Sequence, residues 1–383
     1  MQNRVIILGS TGSIGRAGLE VIGGLGPECS VAGLAARSSW KALAEQARYW
    51  KPAAVAIAED RHAGDLRAAV PPQTRVLSGA EALAELVDTV ECECVLAAVV
   101  GSAGLPAILR TVELGRRLAL ANKEALVAAG PILMNLARRS GAEVIPVDSE
   151  HSGAFQAMLA GHRREIRKVC LTASGGPFRT WSAERMAGAT LEQALSHPTW
   201  NMGPKITIDS ATMINKALEI IEARWLFGLD PEAIEVLIHP ESVVHALVEF
   251  ADGSIIAQMG TPDMRTPIQY ALTYPRRVTC PSPPLDLREL GRLNFEPPDP
   301  ERFPAVRLGY EVARAGGLAG AVFNAANEAA VRLFRNGEIR FPEIVELTAL
   351  TLARHEPNPQ PTIDDLLAAD RWARNEVARC LTC

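Results

Sequence analysis

Between residues 4 and 147, short uninterrupted apolar runs alternate with stretches of helical periodicity. Val5–Leu8, Val31–Ala35, Ala53–Ile57, Val95–Val100, Leu118–Ala121 and Val144–Val147 are successive strand candidates; Lys41–Trp50 and Ala80–Val87 are helix patterns between them. A strand without polar alternation is buried on both faces, and helices packed above and below a parallel sheet provide that burial. The alternation predicts an α/β unit with a doubly wound parallel sheet over residues 1–147.

The pattern changes after Asp148. Val169–Thr172 and Val236–Ile238 read as strands, and Val243–Phe250 and Ser254–Met259 flank the turn signal Asp252-Gly253. One strong helix pattern, Ala211–Phe227, interrupts them, so residues 148–280 read as an α+β domain for substrate and metal. The proline-rich segment 281–304 fits an extended linker. Ala305–Ala315, Gly320–Arg335, Pro342–Arg354 and Thr362–Ala378 then predict a C-terminal helical bundle over 305–383.

Composition narrows the function. With 383 residues, net charge −5 and no long basic stripe, the chain offers no nucleic-acid partner. No apolar run reaches the roughly 20 residues that span a bilayer, so no membrane partner is expected. The start, Met1-Gln2-Asn3-Arg4 and then Val5, is a strand pattern and not a leader, which points to a cytoplasmic protein. Seven scattered cysteines without a Cys-x-x-Cys pair speak against a disulfide framework or structural zinc.

Gly9-Ser10-Thr11-Gly12-Ser13-Ile14-Gly15 follows the first strand and opens a helix. Glycines there let the backbone turn tightly toward a pyrophosphate, whose charge rests on the helix N-terminus. This is the strand–turn–helix context of a Rossmann-like dinucleotide site. An NAD site usually ends the second strand with a carboxylate. This chain has Ala36-Arg37-Ser38, and Arg37 suits the 2′-phosphate of NADPH. The plainer alternative makes Arg37 a solvated charge and Ser38 or Ser39 a helix cap. At the end of a later strand, Asn122, Lys123 and Glu124 are candidates for contacts to cofactor or substrate, or else an N-capped helix with a solvated ion pair.

Asp148, Glu150 and Glu219 are the metal candidates. Asp148 and Glu150 point to one side if the backbone there stays extended, whereas Asn215, Lys216 and Glu219 share one helical face. Carboxylates converging in one cleft need a cation between them, and hard oxygen donors favour Mn2+ or Mg2+, with Co2+ also accommodated. The plainer alternative is a surface Lys–Glu pair and a loop carboxylate. For a phosphate, Ser174-Gly175-Gly176-Pro177 exposes backbone N–H groups after a strand, and Ser210 is placed at the start of the helix carrying Lys216. Ser196–Pro204, containing His197, Trp200, Met202 and Gly203, has the composition of a mobile lid. His239 and His245 lie within or beside apolar strands and read as structural.

Two other functional classes compete: an aldehyde oxidoreductase with Cys170 as covalent nucleophile, and a non-catalytic NADP-binding regulator. Neither uses the carboxylate set. The motifs Gly9–Gly15, Leu120–Glu124, Pro146–Ser152, Ser196–Phe227, Gly260–Pro267 and Phe303–Glu328, in this order, resemble the 1-deoxy-D-xylulose 5-phosphate reductoisomerase family. Phe323-Asn324-Ala325-Ala326-Asn327-Glu328 is part of that resemblance. It implies NADPH- and metal-dependent rearrangement and reduction of a phosphorylated sugar substrate, by a homodimer. It further implies that Asp148, Glu150 and Glu219 ligate the metal. Ser149, Ser174, His197, Ser210, Asn215 and Lys216 would contact substrate, with Lys123 near the reacting atoms. Thr11, Gly12, Ser13, Ile14, Ala36, Arg37, Ser38, Asn122, Glu124 and Gly203 would line the cofactor, with Met264 near the nicotinamide. Trp200 and Met202 would belong to the closing loop. The family often has Gly-Lys/Arg-Asn where this chain has Ala36-Arg37-Ser38, so the cation is kept and the Asn side chain is not.

Overall fold

A computed structural model describes residues 3–200 and 202–381. The chain forms two compact units. The first comprises the chain up to Ala125 with Ile132–Ser152 and Asp263–Pro284; the second comprises Leu126–Pro131, Gly153–Pro262 and the chain from Leu285 onward.

The first unit is built on a seven-stranded sheet of order β4-β3-β2-β1-β5-β6-β7. Its strands are β1 (Asn3–Leu8), β2 (Cys29–Ala36), β3 (Ala54–Ile57), β4 (Arg75–Ser78), β5 (Cys94–Ala97), β6 (Arg117–Leu120) and β7 (Val144–Pro146), and all pair in parallel. β3 and β5 are buried along their whole length, as unbroken apolar runs require. The sequence reading missed β4. Its Arg-Val-Leu-Ser is an edge strand with an exposed Arg75, so no apolar run announces it. Strand order reverses at β1, between β2 and β5, and the carboxyl ends there form the position where open α/β sheets bind ligands. The helix Arg265–Thr273 packs in this unit against the helix Ser13–Leu25.

The second unit carries a four-stranded sheet of order β11-β10-β8-β9, with β8 (Ile166–Ala173), β9 (Ile234–Ile238), β10 (Val244–Phe250) and β11 (Ile255–Met259). β8 and β9 are parallel, and β10 runs antiparallel to β8 and β11. The expected hairpin is present, with Asp252 Oδ1 accepting from Ser254 N at 2.9 Å across its turn. The helices Ala305–Ala315, Ala319–Arg335, Glu343–Arg354 and Ile363–Cys380 follow the sequence patterns closely. They share one core with the sheet: Phe178, Ile214, Val306, Phe323 and Phe341 belong to a single apolar cluster. Between 281 and 304 the chain is mostly irregular, with one short helix, Leu287–Leu290, and a bridge from Glu296 to Ile238.

Two local expectations are corrected. The chain after β7 does not stay extended. A helix, Ser149–Met158, starts at once, and Ser152 N donates to Asp148 O at 2.8 Å. Asp148 takes the position before the helix, a place its residue type favours, and Glu150 lies in the first turn instead of two residues along a strand. The helix pattern from Ala211 is two helices, Pro204–Ala211 and Ile214–Phe227, broken at Met213 with φ 61°. Apolar periodicity runs through such a break because both helices bury the same kind of face.

Candidate active site

In the first unit, the glycine turn leaves β1 at the strand-order switch. Gly9 N and Ser10 N both donate to Ala35 O, at 2.9 and 2.8 Å, tying the turn to the end of β2. A Cβ on Gly15 would lie 2.3 Å from Gly9 O, so only glycine fits there. Gly12 and Ser13 stand exposed at the head of the helix Ser13–Leu25. That helix has neither a side-chain cap nor an acid in its first turn. Its first N–H groups are open to an anion, which fits a dinucleotide pyrophosphate. Thr11 and Ile14 flank them, half-buried. At the end of β2, Ala36 is buried, Ser38 half-buried and the Arg37 side chain 86% exposed, with its Nε 3.2 Å from Glu59 Oε1. Met264 caps the helix Arg265–Thr273, half-buried.

The Asn122 side chain is held by hydrogen bonds within the first unit. Its Oδ1 accepts from Ala125 N at 2.8 Å, and its Nδ2 donates to Val99 O and Gly101 O at 2.6 and 2.9 Å. It caps the helix Lys123–Ser140 and holds the loop after β5. Glu124 is also buried. Lys123 is no solvated charge: it is 8% exposed, with Nζ 2.6 Å from Asp148 Oδ2. Burial pushes the Asp148 carboxyl upward, but the Lys123 ammonium and the neighbouring His151 outweigh it and hold the group well below the usual carboxylate range. Asp148 is therefore an ionised hard donor. Ser149 Oγ donates to Glu150 Oε2 at 2.5 Å. The sequence reading passed over His151, fully buried with Nδ1 3.6 Å from Asp148 Oδ1. An i,i+3 pairing marks it once the segment is known to be helical.

The second unit assembles the other group. Glu219 is 1% exposed and Lys216 2%. Glu219 accepts from Asn215 Nδ2 at 2.5 Å and from Lys216 Nζ, and Lys216 also donates to Thr172 O. The shared helical face read from spacing is present, with Lys216 and Glu219 buried and Asn215 half-buried. Gly175 and Gly176 adopt φ 81° and 67°, and a Cβ on Gly176 would lie 2.7 Å from Ser210 O. The glycine turn thus lies directly against Ser210, which ends the helix Pro204–Ala211 instead of starting the one that carries Lys216. His197 reaches the same turn: its Nε2 is 3.0 Å from Ser174 Oγ, and Ser174 Oγ accepts from Gly176 N at 3.1 Å. Its Nδ1 accepts from Thr199 N and Trp200 N at 3.1 and 2.9 Å. Burial lowers the imidazole pKa. The ring is therefore neutral with its proton on Nε2, aimed at Ser174.

Trp200, half-buried, has its ring 6.3 Å from that of His245, while Gly203 is exposed at the head of the following helix. Asn201, inside the expected lid, lies outside the described residues. His239 is structural as expected, with Nδ1 2.8 Å from Asn294 O and its ring stacked on Phe295. Cys170 fails as a nucleophile, since burial pushes its thiol up to about 12 and no thiolate forms near neutrality.

The chain as a whole is similar to known proteins. Residues 5–130 match the family model for 1-deoxy-D-xylulose 5-phosphate reductoisomerase, 144–227 its C-terminal domain, and 259–376 the DXP reductoisomerase C-terminal domain. A 1-deoxy-D-xylulose 5-phosphate reductoisomerase from Thermomicrobium roseum is 50% identical over 99% of this chain and 97% of its own. The chain belongs to the 1-deoxy-D-xylulose 5-phosphate reductoisomerase family. Among solved reductoisomerases, that from Zymomonas mobilis in complex with NADPH has a TM-score of 0.94 at 41% identity, covering 100% of this chain and 99% of its own. Another, solved with NADPH, fosmidomycin and magnesium, has a TM-score of 0.93 at 37% identity, covering 100% and 98%. Among the described residues, no helix is long and apolar enough to cross a membrane.

Proposed function

We infer that this chain converts 1-deoxy-D-xylulose 5-phosphate to 2-C-methyl-D-erythritol 4-phosphate, using NADPH and a divalent metal, a step toward isoprenoid precursors. The observation that carries the reading is the buried Lys216–Glu219 pair with Asn215 on the same helical face, in the unit where the Gly175-Gly176 turn packs against Ser210. The test is consumption of NADPH that requires both deoxyxylulose phosphate and a divalent cation.

The residues fit the groups they would hold. Asp148, Glu150 and Glu219 are proposed as the metal ligands, a donor set of carboxylates alone, suited to Mg2+ or Mn2+ and compatible with Co2+. Lys123 and Lys216 already supply positive charge to Asp148 and Glu219, the role a bound cation takes over. When bound, that cation supplies Lewis acidity toward carbonyl and hydroxyl oxygens, and NADPH supplies hydride.

The chain's own part is to bind and orient. Ser174, the Gly175-Gly176 turn, Ser210 and the Nε2–H of His197 are proposed to receive the phosphate. This binding energy, remote from the reacting carbons, goes into orienting them. Asn215 and Lys216 are proposed to hold substrate hydroxyls, with Ser149 beside Glu150 and Lys123 nearest the reacting carbonyl. Trp200 is proposed to cover the bound sugar and exclude water. Thr11, Gly12, Ser13 and Ile14 are assigned to the pyrophosphate side of NADPH. Ala36, Arg37 and Ser38 are assigned to the adenosine side, and Asn122, Glu124, Gly203 and Met264 to the nicotinamide side. The skeleton rearranges to a branched aldehyde before hydride reaches it, and a proton must then reach the aldehyde oxygen.

Arg37 gives the nucleotide assignment a direct check. Its guanidinium is exposed, with Nε 3.2 Å from Glu59 Oε1. A charge-assisted contact to the 2′-phosphate contributes roughly 1.5–3 kcal/mol. Arg37→Ala should raise the Kd for NADPH about 10- to 100-fold and leave that for NADH nearly unchanged, as read by titration of cofactor fluorescence. Equal losses for both cofactors would place Arg37 elsewhere.

The organisation read from sequence is retained as a proposal: nucleotide binding over 1–147, substrate and metal chemistry over 148–280, a linker over 281–304 and support from 305 onward. The assembly is proposed to be a cytoplasmic homodimer. β11 is a sheet edge whose Ile255 and Ile256 are 58% and 38% exposed, which supports pairing with a second copy. Sedimentation at twice the chain mass is expected, and a monomer at micromolar concentration would remove that proposal.

A further inference from the structure

The motif Phe323–Glu328 lies in a C-terminal helix and takes no part in the site described above. Its Asn327 is fully buried, and Asn327 Nδ2 donates to Asp209 Oδ1 at 2.9 Å. Asp209 is itself 1% exposed, and its other oxygen lies 2.8 Å from Lys205 Nζ. Both partners of this carboxylate are thus fixed, one from its own helix and one from the helix Ala319–Arg335. A buried carboxylate is costly to leave half-satisfied, so the arrangement holds the two helices in one register.

What that register controls is set by position. Asp209 precedes Ser210, and its helix, Pro204–Ala211, starts where the expected lid ends. Three residues after Ser210 comes Met213, a bulky residue held at φ 61° with 2% exposure. Left-handed backbone at such a residue is strained and persists only where the surroundings over-determine it. Thr212 Oγ1 contributes locally, donating to Asp209 O at 3.1 Å and accepting from Ile214 N at 3.3 Å. The turn lets Ser210 and the pair Asn215–Lys216 lie on successive helices. A second contact braces the same region: a Cβ on Gly309 would lie 2.7 Å from the Cα of Ala217, next to Lys216. The C-terminal helices therefore touch both helices that carry the substrate groups.

We propose that Asn327, acting through Asp209, is a positioning residue for substrate binding, setting the Met213 turn so that Ser210, Asn215 and Lys216 present together. This rests on the reductoisomerase reading of those three side chains. Asn327 touches no reacting atom, so its removal acts on KM for the sugar phosphate more than on the chemical step.

The test uses the full chain with Mg2+ and NADPH. Asn327→Leu removes the donor and keeps the branched side-chain shape. Asn327→Ser leaves room for a water and serves if the leucine variant does not fold. Either should raise KM for deoxyxylulose phosphate about tenfold while kcat falls less than about threefold, and the Kd for NADPH should stay unchanged. An unchanged KM in a folded Asn327→Ser protein, or a fall in kcat as large as the rise in KM, overturns the proposal. A parent protein that never oxidises NADPH with this substrate would instead defeat the functional reading.

Discussion

Glu219→Gln is expected to lower kcat by about three orders of magnitude while the Kd for NADPH changes less than about threefold. The glutamine side chain has nearly the same shape, so packing around a residue 1% exposed survives. Its chemistry does not. Glu219 now accepts from two donors, Asn215 Nδ2 and Lys216 Nζ, and an amide must set its own N–H against one of them. It also removes the negative charge proposed to hold the cation and leaves the buried Lys216 ammonium without its carboxylate, which destabilises the protein as well. Steady-state NADPH oxidation and a cofactor titration on the same preparation check both halves. Comparable losses in turnover and in NADPH binding would contradict the assignment of Glu219 to the metal.

Gly15→Ala should have the second large effect, on the opposite group of residues. The new methyl would sit 2.3 Å from Gly9 O and 2.5 Å from Ser10 Cα, both backbone atoms that no rotamer change can move. The turn must open, at a cost of roughly 3 kcal/mol for an overpacked rigid site. That distortion moves the helix head proposed to receive the pyrophosphate. The Kd for NADPH is expected to rise about 100-fold, with a lower Tm. Gly12→Ala is the control for the free protein, because its added methyl meets nothing closer than Gly9 O at 3.4 Å and its φ of −75° suits any residue. Gly12→Ala should leave Tm nearly unchanged. A Gly15→Ala protein that melts and binds NADPH like the parent would show that the turn has slack the structure does not display.

The architecture was legible where burial leaves a periodic trace. β1, β3, β5 and β6 each contain an unbroken apolar run, and the C-terminal helices carry an apolar stripe, so their positions follow from spacing. β4 escaped because an edge strand needs no apolar run. The segment after β7 was misread because Asp148-Ser149-Glu150 suits an extended end and a helix start equally, and the Ser152-to-Asp148 hydrogen bond decides it. Chemical types at the site were legible, since carboxylates, a lysine and a glycine turn in this order restrict the reaction. Their individual partners were not. Nothing in the spacing reveals that Asn122 spends its amide on Val99 and Gly101, that His197 is neutral and bound to Ser174, or that Asp209 meets Asn327 at a separation of 118 residues.

The proposed function requires that acidic residues hold a divalent ion without which this chain cannot turn over its substrate. NADPH absorbance followed with deoxyxylulose phosphate in EDTA, then after adding excess Mg2+ or Mn2+, tests this. Oxidation that stops in EDTA and resumes with either ion, yielding methylerythritol phosphate, is the expected result. Oxidation that continues undiminished in EDTA, or never starts with any divalent ion, would contradict it.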